Sequence, residues 1–248
     1  MNFFSVIVEK KYFVITFVAT ALIILSQGLL NFKLDSSSDA LVLQNDKSFK
    51  IYRETGNTFG NSDFLIITFT PNNKLFSKST LQTISNLENQ LQSIGGVDSV
   101  LSILDAPIFF QPKVGLAEIA DNIKTIVDDD IDLNLAAEEI INNPIYSELI
   151  ISIDAKTTAL QVVLEDNQEY RELINLRYKI AESNDEVDQS SLNNINKRIS
   201  EINELEAEKR THQIAQIRNI MNDFRGEGAL FLGGPSMIAT DMMTYIKS

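Results

Sequence analysis

An uncharged apolar run stands near the N-terminus of the chain. From Tyr12 to Phe32 there are 21 consecutive residues without a charge. At about 1.5 Å per residue, a helix of this length spans roughly 30 Å, which is the thickness of the hydrocarbon core of a bilayer. Lysines precede the run directly, and short Lys-rich flanks stay in the cytoplasm. We therefore predict a cytoplasmic tail over residues 1–11, a transmembrane helix over residues 12–32, and residues 33–248 on the opposite side.

A cleaved signal peptide is the alternative interpretation of this run. The apolar region of a signal peptide covers about 7–15 residues and ends in a small-x-small cleavage site. Here the run is longer, and the nearest cluster of small residues, Ser36–Ser38, matches such a site poorly. The pattern therefore favours a retained helix.

Beyond a polar linker over residues 33–62, strand and helix patterns alternate. Runs rich in β-branched and aromatic residues predict strands at Asp63–Thr70, Val97–Leu104, Leu149–Ile153, Thr158–Glu165 and Ala229–Leu232. Apolar residues spaced by three and four predict helices from a Ser77 cap to about Ile94, over Leu116–Val127, over Leu133–Ile141 and over Met237–Ile246.

A long polar region with helical periodicity separates the last two strands. Apolar stripes over residues 170–180 and 192–205, with a break at Ser183–Asp185, predict an antiparallel helical hairpin with arms about 20 Å long. We place this insertion at about residues 168–210. A further stripe from Ile214 to Phe224 predicts a separate crossover helix that packs on the sheet.

Without the irregular segment 105–147, the order of elements reads as β-α-β-β-α-β. This is the split β-α-β, or ferredoxin-like, arrangement. The predicted fold class is therefore α+β, with one N-terminal transmembrane helix, a ferredoxin-like outer domain over residues 63–234 that carries the hairpin, and a final helical segment over residues 235–248.

Charge and composition narrow the functional classes. The chain has 21 Lys and Arg against 34 Asp and Glu, a formal net charge of −13. Such a surface repels nucleic acid and anionic headgroups, so we predict no nucleic-acid partner. The sequence contains no cysteine, which excludes disulfides, thiolate metal sites and a Cys nucleophile.

No motif in the sequence assembles a catalytic, metal or cofactor site. His212, the single histidine, lies in a highly charged stretch and is interpreted as a solvated surface residue. Asp128–Asp130 with Asp132 lack the spacing of a calcium loop, so we interpret them as a solvated acidic helix end. The Gly-Gly pairs at 95 and 233 lack the phosphate-binding spacing and are interpreted as turns. We predict that the chain is not an enzyme and needs no cofactor.

One apolar patch outside the predicted sheet has two interpretations. Ile108, Phe109 and Phe110 lie between two prolines. They are either core residues under a loop or part of a surface that receives a hydrophobic substrate. We take all three as substrate-path candidates.

Several stretches, in order, resemble the first outer loop of exporters of the RND superfamily. They are Gly56–Gly60 before a strand, Gly95–Val100 after a helix, Asn143–Thr157 with Ala155 at a position where that family usually has Gly, and Leu232–Pro235 continuing to Lys247. The likeness is greatest to the MMPL-like and Patched-like "predicted exporter" branch, and it covers nearly the whole chain apart from the hairpin at about 168–210.

The resemblance implies a proton-driven, multi-pass exporter of hydrophobic or lipid-like compounds in a bacterial inner membrane. This chain would supply the first membrane helix and the first periplasmic porter domain, and residues 235–248 would lead into a second membrane helix. Its partners would be the bilayer, the substrate and the second half of the same transporter. The proton-relay carboxylates of that family lie on later membrane helices, so no residue here receives that role.

A single-pass, membrane-anchored ectodomain is the alternative function. The helical hairpin and the acidic surface suit a sensor or assembly module that binds a partner protein at the hairpin.

Overall fold

The computed structural model describes residues 10–26, 63–109, 123–182 and 189–247, together with positions 48, 51, 55 and 56. The chain divides into two compact units, Met1–Asp35 and Ser36–Ser248.

The first unit contains helix α1, Lys11–Ser26. None of its side chains is buried, and its large apolar residues are exposed. The helix covers the first part of the predicted membrane run, whose residues 27–32 lie outside the described residues. Within the described parts of the chain, no helix is both long and apolar enough to cross a membrane.

The second unit is built on a four-stranded antiparallel sheet. Its strands are β1 (Phe64–Pro71), β2 (Val97–Leu101), β3 (Thr158–Leu164) and β4 (Gly228–Gly233), in the spatial order β2-β3-β1-β4. In the central strand β1, Leu65 pairs with Val162 of β3 and Ile67 pairs with Leu232 of β4. The fold is therefore a mixed α and β fold, as the sequence predicted at this level.

Alternation along β1 decides which side of the sheet holds the core. Leu65, Ile67 and Phe69 are fully buried, because every second side chain of a strand points to the same face. Helix α2, Lys78–Gln92, covers this face with Leu81, Ile84, Leu87 and Leu91. The predicted Ser77 cap is confirmed, since the Ser77 hydroxyl accepts a hydrogen bond from the backbone N–H of Thr80 at 3.2 Å.

The segment after β2 differs from the prediction. The strand ends at Leu101 instead of Leu104, because Ser102 caps a short 3-10 helix, Ile103–Asp105. The predicted helix over Leu116–Val127 is described only from residue 123, and there the chain forms a bridge and turns without a helix.

The region before β3 contains one confirmed element and one that was wrong. Helix α3, Leu133–Asn142, confirms the predicted helix over Leu133–Ile141. The predicted strand Leu149–Ile153 is absent from these described residues. The chain instead turns around Tyr146, whose carbonyl accepts from the backbone N–H groups of three following residues, and only Ile151 makes isolated bridges. The four strands above therefore form the described sheet.

The helical hairpin consists of α4, Gln168–Glu182, and α5, Gln189–Asp223. The two helices run antiparallel, because Asn167 contacts Glu206 at 2.9 Å and Glu169 contacts Arg198 at 2.7 Å. The predicted break at residues 183–185 lies outside the described residues.

The prediction of a separate crossover helix was wrong. The second arm and the crossover segment are one helix of 35 residues, because no Gly or Pro interrupts the sequence between Leu192 and Phe224. The first part of α5 packs on α4, where Ile174, Tyr178, Ile195 and Ile199 form a small core of their own. Its last part places Ile214, Ile217 and Met221 in the main core beneath the sheet.

Helix α6, Pro235–Lys247, follows β4 directly. Gly234 makes the turn with a φ of 133°, a backbone angle that side chains with a Cβ rarely adopt. Proline at the first helical position suits a helix start. The predicted helix over Met237–Ile246 is confirmed.

Candidate functional site

The three substrate-path candidates do not occupy equivalent positions. The Ile108 side chain is 3% exposed and belongs to the main core, and its backbone N–H donates to the Lys124 carbonyl at 2.7 Å. Phe109 is half-buried against that core. Phe110 lies outside the described residues. In this arrangement Ile108 has almost no surface to offer a substrate, whereas Phe109 keeps some; a role in a substrate path stays a prediction.

Two polar side chains hold this segment in place. The backbone N–H of Phe109 donates to Glu139 Oε1 at 2.6 Å, and the Tyr146 hydroxyl donates to the Pro107 carbonyl at 2.8 Å. Burial, together with the neighbouring Glu139 carboxylate, raises the pKa of Tyr146. The tyrosine therefore keeps its proton at neutral pH and acts as a hydrogen-bond donor.

The acidic side chains after residue 127 bind different groups close to them in the chain. Asp128 accepts from the backbone N–H of Thr125 at 2.6 Å, and Asp130 pairs with Lys124. The hydrogen bond from Lys124 lowers the pKa of Asp130. Asp132 caps α3 by accepting from Asn134 N at 2.8 Å. The acidic run thus lies before helix α3, whereas the sequence suggested that it lies at the end of a helix.

His212 is a surface residue, and Gly95 and Gly96 form a turn. His212 lies exposed on α5. At the Gly95–Gly96 turn, the Gly95 carbonyl accepts from the buried Gln213 side chain of α5 at 2.9 Å, and Gly96 has a φ of 83°. Helix α5 therefore packs closely against this turn.

The outward face of the sheet is a feature that the sequence reasoning missed. Phe231 of β4 is 69% exposed, and Leu101 of β2 and Phe64 of β1 are also exposed. The pairing of the strands places these residues on the same face of the sheet. Phe231 lies opposite Thr68 of β1, and Leu101 lies opposite Gln161 of β3. We call this surface the outer sheet face and define it by Phe64, Ile66, Thr68, Leu101, Gln161, Val163 and Phe231.

The outer sheet face is uncharged, although the chain has many charged residues. An exposed surface of this composition is typical of contact with an apolar ligand or partner. The signal was present in the sequence: Phe64 and Ile66 alternate with the core residues of β1, and Phe231 stands between the two leucines of β4. Without the strand order, these positions could not be combined into one surface.

A network of ion pairs joins α5 to the ends of β1 and α6. Arg210 reaches Asp63 at 3.4 Å, and Asp63 also accepts a hydrogen bond from Ser236 at the start of α6. Farther along α5, Arg218 binds Asp241 of α6 through two hydrogen bonds of 2.9 and 2.7 Å. Helix α6 is thus fixed to the domain at two points by polar contacts.

A second carboxylate site lies between α2 and the 3-10 helix. The buried Ser102 hydroxyl donates to Glu88 Oε2 at 2.9 Å. Partial burial of Glu88 is the main cause of a raised pKa, and the nearby Asp105 adds to it. This hydrogen bond joins α2 to the 3-10 helix.

The chain was compared with models of protein families, with curated proteins and with solved structures, and none of the three comparisons gave a match.

Proposed function

We propose that this chain is the first membrane helix and first outer domain of a multi-pass, proton-driven exporter of the RND type. Its cargo would be hydrophobic or lipid-like compounds, and its location would be a bacterial inner membrane with residues 33–248 outside. The observation that carries the proposal is the uncharged outer sheet face, with Phe231, Leu101 and Phe64 exposed to solvent. Such a surface suits an apolar compound better than a charged one.

The order of elements supports the same assignment. A helix connects β1 to β2, helices connect β3 to β4, and the strands lie in the order β2-β3-β1-β4. This order supports a ferredoxin-like, β-α-β-β-α-β arrangement in which the 3-10 helix and α3, between β2 and β3, are additions. We propose that the domain is ferredoxin-like, with the hairpin of α4 and the first part of α5 as an insertion.

Helix α1 supports membrane anchoring. None of its apolar side chains is buried, and no charge occurs between Tyr12 and Ser26. A helix that is apolar all round is stable when lipid or protein surrounds it. The proposed membrane helix comprises residues 12–32, with the preceding lysines in the cytoplasm.

The role in export can be tested in the complete reading frame, expressed in cells that are loaded with a fluorescent hydrophobic dye. We expect the double substitution Phe231→Ser with Leu101→Ser to reduce dye export. The matched control is Leu205→Ser, since Leu205 is a similarly exposed apolar residue on the hairpin. Protein levels in the membrane are measured in parallel. Unchanged export at equal protein level would contradict the proposed substrate surface.

The substrate-path candidates need a different variant. Replacing Ile108 would damage the core in which it is buried, so lost export would not be informative. Phe109→Ser changes a half-buried side chain at the edge of the core. If Phe109 contacts substrate, this variant exports less dye than the control at equal protein level.

A membrane-anchored ectodomain that binds a partner protein is the second candidate. One observation favours it: the hairpin has its own core, Ile174, Tyr178, Ile195 and Ile199, separate from the main core. The hairpin can be removed cleanly, because Asn167 and Glu206 are in contact at its base. Replacing residues 169–204 by a short glycine-rich loop should abolish partner capture if this candidate is correct.

The two candidates also differ in the gene. The exporter requires the reading frame to continue past codon 248 into further apolar segments of about 20 residues. A stop codon close after that position would leave the anchored module as the working hypothesis.

A further inference from the structure

Helix α6 presents an apolar stripe to solvent. Ile238, Met242, Tyr245 and Ile246 are each more than half exposed. Their spacing of three and four residues places them on one side of the helix. Met237 points the other way and packs against the main core. The exposed side of α6 is therefore more apolar than a helix on the surface of a water-soluble domain needs to be.

The acidic charge on α6 is compensated by an arginine of α5. Asp241 is the one acidic residue of the helix, and Arg218 binds it with both terminal guanidinium nitrogens. Elsewhere the chain is strongly acidic, with a net charge of −13. With its carboxylate compensated, α6 is thus suited to approach a surface that carries zwitterionic headgroups.

We propose that the stripe Ile238, Met242, Tyr245 and Ile246 rests on a lipid bilayer, with α6 lying in the headgroup region. The inference rests on the proposed membrane anchoring, because anchoring keeps the domain near a bilayer. Tyrosine in the stripe suits an interface, where its ring is buried and its hydroxyl remains in water.

A second copy of the chain is a poorer occupant of the stripe. Four side chains of this size bury on the order of 500 Å² per copy, less than the roughly 800 Å² per partner of a stable interface. Two copies of a chain with a charge of −13 also repel each other. A bilayer needs no complementary shape and carries no fixed pattern of charges, so it is the occupant that these observations favour.

The chain contains neither Trp nor Cys, so one introduced tryptophan reports on one position. The full chain would be reconstituted in phosphatidylcholine vesicles as three variants, Met242→Trp on α6, Leu205→Trp on the hairpin and Leu22→Trp at the middle of the proposed membrane helix. Quenching is measured with lipids brominated near the headgroup or near the end of the acyl chain. We expect the tryptophan at position 242 to be quenched by the shallow label roughly twofold more than the one at position 205.

The outcomes separate this inference from the anchoring on which it rests. Deep quenching at position 22 with no quenching at position 242 would keep the membrane anchor and overturn the contact of α6. Quenching at position 242 without deep quenching at position 22 would support the contact and contradict the anchor. A dimer by light scattering, with position 242 shielded from an aqueous quencher in the absence of lipid, would overturn the bilayer as occupant.

The role of the Arg218–Asp241 ion pair can be tested separately in the variant that carries Met242→Trp. Adding Arg218→Gln leaves Asp241 uncompensated and should reduce the quenching at position 242. Adding Asp241→Asn as well should restore it. If the triple variant stays as weakly quenched as the Arg218→Gln variant, the ion pair orients α6 instead of masking its charge, and the charge argument is overturned.

Discussion

Arg218 of α5 and Asp241 of α6 face each other in a bidentate ion pair, with 2.9 Å between Nη1 and Oδ1 and 2.7 Å between Nη2 and Oδ2. Helix α5 belongs to the main core at this point, through Ile217 and Met221. Helix α6 is only partly buried along its length. The pair therefore attaches an exposed helix to a fixed one, and the direction of α6 depends on it.

We expect Arg218→Gln to loosen α6 with little loss of global stability. Both side chains are about half exposed, and such pairs contribute about 0.2–1 kcal/mol. Hydrogen exchange of the α6 amides should accelerate, while Tm falls by about 1–3 °C. Arg225→Gln is the control, because Arg225 contacts only the neutral Asn222 among the contacts described for it. Equal exchange of α6 in both variants would contradict a fixing role.

The same ion pair predicts a pH dependence. The hydrogen bond from Arg218 lowers the pKa of Asp241 below the ordinary value of 3.8. A carboxylate with a lowered pKa stabilises the fold fully above its unfolded value and loses that contribution as the pH falls through the folded value. The difference in Tm between the native chain and Arg218→Gln should thus be present at pH 7 and shrink below pH 3.8. A difference that grows in acid would contradict this assignment.

Glu88→Gln should stabilise the domain at neutral pH. Burial raises the pKa of Glu88 above 4.5, so its ionised form is less favourable in the folded state than in the unfolded one. Its protonated form gives the fold extra stability below pH 4.5, and this is lost as the pH rises through the folded pKa. Glutamine stays neutral and can still accept from Ser102, so we expect Tm to rise by about 1–2 °C at pH 7.

This stabilisation should disappear at pH 4 and below, where the native glutamate is also neutral. Thermal unfolding followed by circular dichroism across this range measures it. Glu138→Gln is the matched control, since Glu138 is an exposed carboxylate on α3. A rise in Tm of equal size in both variants would assign the effect to net charge instead of burial.

Two adjacent glycines should respond differently to alanine. A Cβ at Gly95 meets nothing within 4 Å, whereas a Cβ at Gly96 overlaps the side chains of Gln213 and Lys209. Gly96 also has a φ of 83°, and a residue with a Cβ costs roughly 1–3 kcal/mol in such a conformation. Gly96→Ala should therefore lower the free energy of unfolding in urea by that amount, while Gly95→Ala has little effect. Equal losses would mean that the contact with α5 is not tight.

The two cores should behave independently, although α5 contributes to both. Ile217→Ala removes a fully buried side chain from the main core and should cost about 2–5 kcal/mol. Ile199→Ala affects the small hairpin core, so faster hydrogen exchange should be confined to α4 and the first part of α5. If Ile199→Ala accelerates exchange in β1 as strongly as in α4, the hairpin is an integral part of the domain.

Local signals were sufficient for most helices and strands. Ser77 predicted the start of α2 because a hydroxyl before an apolar stripe satisfies a free backbone N–H. Runs rich in β-branched and aromatic residues predicted β1, β3 and β4 within a residue or two. The Leu149–Ile153 strand was predicted wrongly because a short apolar run looks the same whether it extends or turns. Positive φ angles at Glu148 and Ala155, 65° and 53°, mark turns on both sides of the run, and the backbone N–H groups of Leu149, Ile150 and Ile151 all bond to the Tyr146 carbonyl.

Helix α5 shows a second reason why prediction from the sequence was incomplete. The sequence predicts its two apolar stripes, and the prediction assigns the first to the hairpin and the second to a separate crossover helix. One continuous helix can pack against α4 along its first part and against the sheet along its last part. The sequence shows the apolar stripes but not the elements against which they pack.

The sequence by itself determined the class of most segments: an uncharged apolar run from Tyr12 to Phe32, strands rich in β-branched and aromatic residues, striped helices, a strongly acidic composition, and a chain without cysteine. These properties follow from the local periodicity and composition of neighbouring residues. Only the tertiary structure decided that Ile108 is buried, that Phe231 and Leu101 share the outer sheet face, and that Arg218 meets Asp241. Each of these depends on strand order or helix packing between residues far apart in the chain, and no local pattern specifies that order.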